Sequence, residues 1–373
     1  MGKHIYADNA ATTKLDSEAF KAMKPWLLDE YGNASQPYSF SRKPKEALKK
    51  AREVIAECIN ASPEEIYFTS GGTESDNWAI KGVAYNNYEH RATITSAFEH
   101  HAILRACEAI ERIGCPVAYM RPNNSGTVKP EVLEAYITDK TILVSVMLVN
   151  NELGTIQPIQ NLCEIAHSRN AIFHTDAVQA IGHMEIDVKK IGVDMLSASA
   201  HKFNGPKGIG FLYIRNGVRL NPFSDGGAQE FGMRAGTENI ASIVGMAVAL
   251  ENNIKTLKTN HAHVKSLESM LLNKLDQTGI PYKRNGGEQT VSEIISLSFD
   301  GKDGEAILHR MDLMGISIST GSACDSKNTE ISHVLKAIQM PDNFAKGTIR
   351  ISLGKYNTEE DIEVIVEALK KIL

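Results

Sequence analysis

The sequence is poor in cysteine, in aromatic residues and in long apolar runs, and each shortage excludes a class of protein. Its 373 residues include five cysteines, with no Cys-x-x-Cys pair, which argues against a disulfide framework and a zinc ribbon. No apolar run approaches the roughly 18 residues that cross a bilayer, and the N-terminal stretch MGKHIYADNAATT lacks a signal peptide's apolar segment. We therefore expect a cytoplasmic protein without a membrane partner.

Neither sign of charge dominates the chain. Lys and Arg total 40 against 45 Asp and Glu, a net charge of -5, so a broad basic surface for nucleic acid is not expected. The basic stretch from Arg42 to Arg52 contains Leu48 and Ala51 at helical spacing, which predicts the solvated face of an amphipathic helix. An anionic ligand must therefore be bound by local groups.

Short apolar segments with strand composition alternate with helical patterns, which predicts an α/β fold with parallel βαβ units. Residues 238–279 have one continuous helical pattern that bridges to a second, smaller α/β unit. We predict a large domain over residues 15–257 and a small domain from residues 1–14 and 258–373. Most of the predicted strands end in polar or glycine-bearing turns, which should converge on one ligand site.

Two glycine-rich motifs are ambiguous by themselves. TSGGTES (Thr69 to Ser75) lies between a strand and a helix, where backbone N–H groups can bind phosphate, although an ordinary turn has the same composition. It lacks the GK[ST] of a Walker A loop. GPKGIG (Gly205 to Gly210) does not fit the dinucleotide fingerprint and predicts a tight turn between two strands.

Two further strand ends have polar residues whose side chains could take part in a reaction. Asp176 in HTDAVQ could simply cap the next helix, and Lys202 ends the segment SASAHK. A lysine at the end of a buried strand is costly unless its charge is lost or its amine is covalently used. Pyridoxal phosphate (PLP) needs a phosphate cup, a carboxylate for its ring nitrogen and a lysine for its aldehyde. Thr73, Asp176 and Lys202 together would supply all three.

The chain resembles cysteine desulfurases of the NifS/IscS type along almost its whole length. The motifs that carry the resemblance are DNAATT, FTSGGTESDN, EHHA, VNNELGTIQP, HTDAVQAIG, SAHKFNGPKGIGFLY, RAGTEN, STGSAC, SHVL and IRISLG. The resemblance implies a class V aminotransferase, that is, a PLP-dependent enzyme of fold type I. In this fold a large domain has a mostly parallel central sheet flanked by helices, a smaller C-terminal α/β domain follows, and the enzyme is a homodimer.

The resemblance also implies roles for individual residues. Lys202 matches the lysine that binds the cofactor, and His100 matches the histidine that stacks on its ring. Asp176 matches the partner of the ring nitrogen, and Arg350 the guanidinium that binds the substrate carboxylate, for which lysine is a poor substitute. The remaining matches are Gly72, Thr73, Ser199 and His201 on the phosphate side, Gln179 at the ring oxygen, Asn151 at cofactor and substrate, and Thr237 at the phosphate of the other subunit.

The cysteines divide into two groups. Cys58, Cys107, Cys115 and Cys163 lie in apolar patterns and are expected to be core residues. Cys324 lies outside any apolar pattern, and the resemblance makes it the sulfur acceptor and a transient iron–sulfur ligand, with no other metal site.

The implied reaction converts L-cysteine to L-alanine and leaves a persulfide on Cys324. The sulfur would then pass to an IscU-like scaffold for iron–sulfur cluster assembly, or to another acceptor for thio-modification. The alternatives are a selenocysteine lyase or another PLP-dependent amino-acid lyase, and a sulfur-transfer platform with little turnover. Four residues depart from the family pattern, namely Tyr38, Ala228, Phe231 and Asp325.

Overall fold

The computed structural model describes residues 4–86, 92–320 and 331–373. Its largest sheet is formed by β2 (Ile66–Thr69), β3 (Ala92–Ser96), β4 (Val117–Met120), β5 (Thr141–Ser145), β6 (Ile172–Asp176), β7 (Met195–Ser199) and β8 (Gly210–Ile214). The strand order is β2-β8-β7-β6-β5-β3-β4, and only β8 runs antiparallel to its neighbours. The mostly parallel sheet is confirmed.

Helices follow most of these strands, as the alternating sequence pattern predicts. The helices of the first two thirds of the chain are α1 (Ser17–Leu28), α2 (Arg42–Cys58), α3 (Gly72–Tyr85), α4 (His101–Glu111), α5 (Pro130–Tyr136), α6 (Ile159–Ser168), α7 (Val188–Ile191) and α8 (Ile240–Lys255). The later helices are α9 (Leu257–Gln277), α10 (Gly304–Leu313), α11 (His333–Ala337), α12 (Asp342–Ala345) and α13 (Glu359–Ile372). The helical pattern over residues 238–279 is therefore two helices, which meet at Thr256.

A second, smaller group of strands lies in the C-terminal part. It consists of β1 (Ile5–Tyr6), β9 (Lys283–Arg284), β10 (Ile294–Ser298), β11 (Ile316–Ser317) and β12 (Thr348–Ser352). β12, β10 and β9 form an antiparallel sheet, and β1 pairs with β11 in parallel. These strands share a hydrophobic core with α9, α10 and α13 that is separate from the cores on the large sheet. The domain boundaries given above stay a prediction.

The basic stretch on α2 departs from its expected exposure at one residue. Lys49 and Lys50 are exposed, as an amphipathic helix requires, but Arg52 is buried. Its guanidinium donates to both carboxylate oxygens of Glu230, at 2.8 and 2.7 Å, and lies 4.4 Å from the ring centre of Phe68. The helical periodicity of the sequence shows which face of α2 is polar. It does not show that an arginine of this face is buried when a carboxylate pairs with it. None of the described helices is long and apolar enough to cross a membrane.

Candidate active site

The polar turns at the strand ends meet around one cavity of about 350 Å³. Ten of the residues predicted to form the site line it, namely Gly72, Thr73, His100, Asn151, Asp176, Gln179, Ser199, His201, Lys202 and Arg350. The parallel strands explain this convergence, because their carboxyl ends lie along one edge of the sheet. β12 adds Arg350 from the other strand group. The structure thus brings these residues together, and their individual roles stay predictions.

Lys202 lies in a short 3-10 turn directly after β7. Its ammonium group donates hydrogen bonds to the carbonyl oxygens of Ala10 and Ala11, the latter at 2.9 Å. Gln179 donates to the same Ala10 oxygen at 2.9 Å. The segment DNAATT therefore holds the lysine and the glutamine at one wall of the cavity, a function that its sequence did not indicate.

Asp176 is the last residue of β6 and is buried. One carboxylate oxygen accepts a hydrogen bond from the backbone N–H of Val178 at 2.9 Å. Burial raises the pKa of Asp176 to about 6, while the Val178 hydrogen bond and the positive charge of Lys202 act in the opposite direction. A positively charged group on a ligand would further favour the ionised carboxylate.

The phosphate side of the site is formed by the N-terminus of α3. Gly71 has φ = 147°, which favours glycine, and a Cβ on Gly72 would lie only 2.7 Å from a methyl carbon of Val178. Both positions therefore favour glycine, and the backbone N–H groups at the N-terminus of a helix are suited to bind an anion. Lys207 lines a second opening on this side, and the sequence analysis missed it because its motif indicated only a turn.

His100 caps α4, where its Nδ1 accepts the backbone N–H of Ala102 at 3.1 Å. Burial lowers the pKa of His100 to about 4, with the charges of Lys202 and His101 acting in the same direction. The imidazole is therefore neutral at pH 7. Because Nδ1 is the acceptor, we place the proton on Nε2, from which His100 can donate to a group in the cavity.

Arg350 is buried and is held by two partners. Its Nη1 donates to the backbone oxygen of Asn151 at 2.8 Å, and its Nη2 donates to the carboxylate of Asp8 at 2.8 Å. The Nε of Arg350 is buried and has no hydrogen-bond partner in the structure. Arg350 also lines the cavity, where a guanidinium can bind a ligand carboxylate, which is the chemistry expected of a substrate clamp.

The remaining predicted residues lie outside this cavity or outside the described part of the chain. Thr237 is exposed and does not line the cavity of its own chain. Its predicted contact with the partner subunit's phosphate stays a prediction. Cys324 and Asp325 lie outside the described residues. Ala228 lies at the start of a 3-10 turn and Tyr38 is exposed.

The other cysteines have the environment expected of core residues. Cys107, Cys115 and Cys163 are buried, and Cys58 is partly buried. Burial raises the pKa of Cys58 and of Cys107 to about 12, and also raises the pKa of Cys163. These thiols stay protonated at pH 7 and are poor nucleophiles, because the thiolate is the reactive form.

Phe231, one of the residues that depart from the family pattern, has an unusual position. Its backbone adopts φ = 58°, and its side chain is 62% exposed. The ring packs edge-on against Tyr67, with centres 5.8 Å apart, and lies 5.2 Å from the guanidinium of Arg52. Phe231 therefore presents a partly exposed apolar ring beside the buried Arg52.

The residues that line the cavity match the requirements of one cofactor. Lys202 offers an amine, Asp176 a carboxylate, and the start of α3 offers backbone donors beside Gly71, whose φ favours glycine, and Gly72, which has no room for a side chain. This donor set fits pyridoxal phosphate, which needs these groups for its aldehyde, its ring nitrogen and its phosphate. Among the described residues, no group of three or more His, Cys, Asp or Glu could hold a metal ion.

Comparison with known proteins gives the family. The class V aminotransferase family matches residues 5–365. The cysteine desulfurase IscS of Clostridium botulinum is 45% identical, with 100% of this chain and 95% of that protein covered. The chain is a cysteine desulfurase of this family. Class V aminotransferases of this kind depend on pyridoxal phosphate, so the cofactor prediction is confirmed.

Two solved structures agree with this family. A structure titled NifS-like protein is 37% identical, with a TM-score of 0.94 and 99% of both chains covered. Another, titled SspA in complex with cysteine, is also 37% identical, with a TM-score of 0.84 over 95% of this chain and 100% of that chain. The cysteine desulfurase therefore has the predicted fold and enzyme class.

Proposed function

We propose that this cysteine desulfurase removes sulfur from L-cysteine and transfers it to Cys324, with L-alanine as the second product. The observation that carries the proposal is that the guanidinium-bearing side chain of Arg350 and the amine-bearing side chain of Lys202 line the same cavity. One group would bind a carboxylate and the other lies where an amino acid's α-carbon chemistry would take place. An amino-acid substrate satisfies both.

The residues would divide the reaction among them. When bound, pyridoxal phosphate supplies an electron sink for the α-carbon. Asp176 keeps the ring nitrogen protonated, and Arg350 with Asn151 fixes the substrate carboxylate. Lys202 moves the α-proton, and Nε2 of His100 donates a hydrogen bond or a proton near the substrate thiol. These roles give a function to the neutral imidazole of His100 and to the primary amine of Lys202 in the cavity.

The sulfur step balances without another reactant. The Cys324 thiolate attacks the substrate sulfur, an S–S bond forms, and the C–S bond breaks with its electron pair moving to the substrate carbon. Protonation of that carbon gives alanine, and the enzyme retains the sulfur as a persulfide. In the sequence, Cys324 comes four residues after Thr320. Ser319, the residue before Thr320, forms a β-bridge with Arg350.

We further propose that the persulfide passes to an IscU-like scaffold protein and that the enzyme is a cytoplasmic homodimer. The exposed position of Thr237 supports a contribution to a second subunit's phosphate site. The test incubates the purified holoenzyme with L-cysteine and measures alanine, sulfide after addition of a thiol reductant, and the mass of the Cys324 peptide. A protein that forms neither alanine nor a persulfide would contradict the proposal.

The binding role of Arg350 gives a direct prediction. Arg350→Lys should raise the KM for L-cysteine about tenfold to a hundredfold. A hydrogen bond to a charged group contributes about 1.5–3 kcal/mol, and a lysine ammonium cannot form the paired hydrogen bonds of a planar guanidinium to a carboxylate. Steady-state kinetics should show a smaller change in kcat. Cofactor absorbance serves as the control for an intact site. An unchanged KM would remove Arg350 from substrate binding.

A further inference from the structure

A buried polar chain crosses the centre of the large sheet and ends at the cavity. Ser145 on β5 lies 2.9 Å from Nδ1 of His174 on β6, and Nε2 of His174 lies 2.9 Å from the hydroxyl of Ser197 on β7. Nε2 of His174 also lies 3.8 Å from Oδ1 of Asp76 on α3, and Asp76 lines the cavity together with Asp176. All of these side chains are almost fully buried. A polar chain in a sheet core is costly, which points to a function for the residue at its end.

Asp76 itself is incompletely paired. Its Oδ1 is buried and has no hydrogen-bond partner, and the nearest histidine nitrogen, Nε2 of His174, is 3.8 Å away. An unpaired oxygen is much less costly on a neutral carboxylic acid than on a carboxylate. The sequence analysis missed Asp76, because TESD looks like the ordinary acidic first turn of a helix.

We propose that Asp76 is a positioning residue for the cofactor: it holds the proton of the Asp76 and Asp176 pair, so that Asp176 alone is ionised and stays aligned with the ring nitrogen. The inference rests on the proposed pairing of Asp176 with that nitrogen. Two carboxylates that share a buried site cannot both ionise easily. Asp176 has the Val178 N–H and the charge of Lys202 to favour its ionised form, whereas the buried Oδ1 of Asp76 has no hydrogen-bond partner.

The electrostatic surroundings of Asp76 agree with this assignment. Burial raises the pKa of Asp76 well above its usual value, the charges of Asp176 and Glu99 add to the effect, and the Ser197 hydrogen bond opposes it. Burial also lowers the pKa of His174 to about 3, so this ring is neutral and gives Asp76 no positive partner. The other ionisable groups of the same cavity wall are His100, His201, Lys202 and Arg350.

The test compares variants of Asp76 in the full-length protein. Asp76→Asn copies a neutral acid, and Asp76→Leu keeps the volume without the polar group. We expect the apoprotein of Asp76→Asn to bind added pyridoxal phosphate within about twofold of wild type, and Asp76→Leu to bind about tenfold more weakly. In holoenzyme labelled with 13C-aspartate, a protonated-carboxyl infrared band at pH 7 should disappear in Asp76→Asn. Absence of the band, or equal binding by the leucine variant and wild type, would overturn the inference.

Further variants separate the possible failures. Ser197→Ala leaves Asp76 in place and should shift the frequency of the infrared band, which keeps the inference testable if Asp76→Leu does not fold. An unshifted band would overturn the role of the chain. Tyr85→Phe is the control on α3, since Tyr85 is 37% exposed at the other end of the helix and does not line the cavity, and this variant should bind the cofactor normally. If Asp176→Asn also binds the cofactor like wild type, the proposed pairing of Asp176 fails rather than the inference on Asp76.

Discussion

Lys202→Ala is expected to reduce alanine formation from L-cysteine by at least about a thousandfold. Lys202 is the described lysine that lines the central cavity, and its ammonium group is fixed by the carbonyls of Ala10 and Ala11. Alanine at this position removes both the amine for the cofactor and the base for the α-proton, and loss of a positioned proton-transfer group alone costs about 10²–10⁴ in rate. The measurement is alanine production by amino-acid analysis under saturating cofactor.

The control for this variant is Lys189→Ala, which removes an exposed lysine from α7 and should leave turnover unchanged. Absorbance of the holoenzyme gives an independent readout, because covalently held and freely bound pyridoxal phosphate absorb differently. An added small primary amine should restore part of the activity of Lys202→Ala, since it replaces the missing group. A variant that retains both wild-type absorbance and wild-type turnover would show that another amine performs the reaction.

Strand ends were the most informative feature of the sequence. Asp176, Ser199 and Lys202 each follow a short apolar segment, and parallel strands bring such residues to one edge of the sheet. Composition and spacing therefore indicated both the fold and the side of the sheet that carries the site. Arg350 required the family resemblance, because its strand belongs to a separate antiparallel sheet and nothing in its local pattern indicates where that strand packs.

The structural features that the sequence did not indicate depend on contacts between distant segments. Arg350 is held by Asp8, which precedes it by 342 residues, and Arg52 is buried only because Glu230 meets it from another turn. Asp76 belongs to a helix whose acidic residues look solvated in sequence, yet the polar chain behind it makes its burial possible. The two partners of such a pair offset each other's cost of burial only in the folded state, so neither residue can be recognised as buried from its local sequence.

Cys324→Ala is expected to abolish persulfide formation and to reduce alanine formation from L-cysteine to background. Among the other cysteines, Cys58, Cys107 and Cys163 have pKa values raised by burial. None of these three presents a thiolate at pH 7, so none of them is expected to replace Cys324 as the sulfur acceptor. Mass spectrometry of the Cys324 peptide after incubation with L-cysteine measures the added sulfur directly, and cofactor absorbance on addition of substrate shows whether substrate binding is retained.

The matched control is Cys58→Ala, which changes a partly buried thiol outside the cavity and should keep both alanine formation and the persulfide. A second substrate distinguishes the lyase alternative, because selenocysteine has a weaker bond to its β-carbon and its selenium can leave without attack by a thiolate. If Cys324→Ala loses activity on cysteine but keeps it on selenocysteine, the protein is a lyase for the heavier substrate. Retained alanine formation from L-cysteine in this variant would mean that sulfur leaves without passing through Cys324.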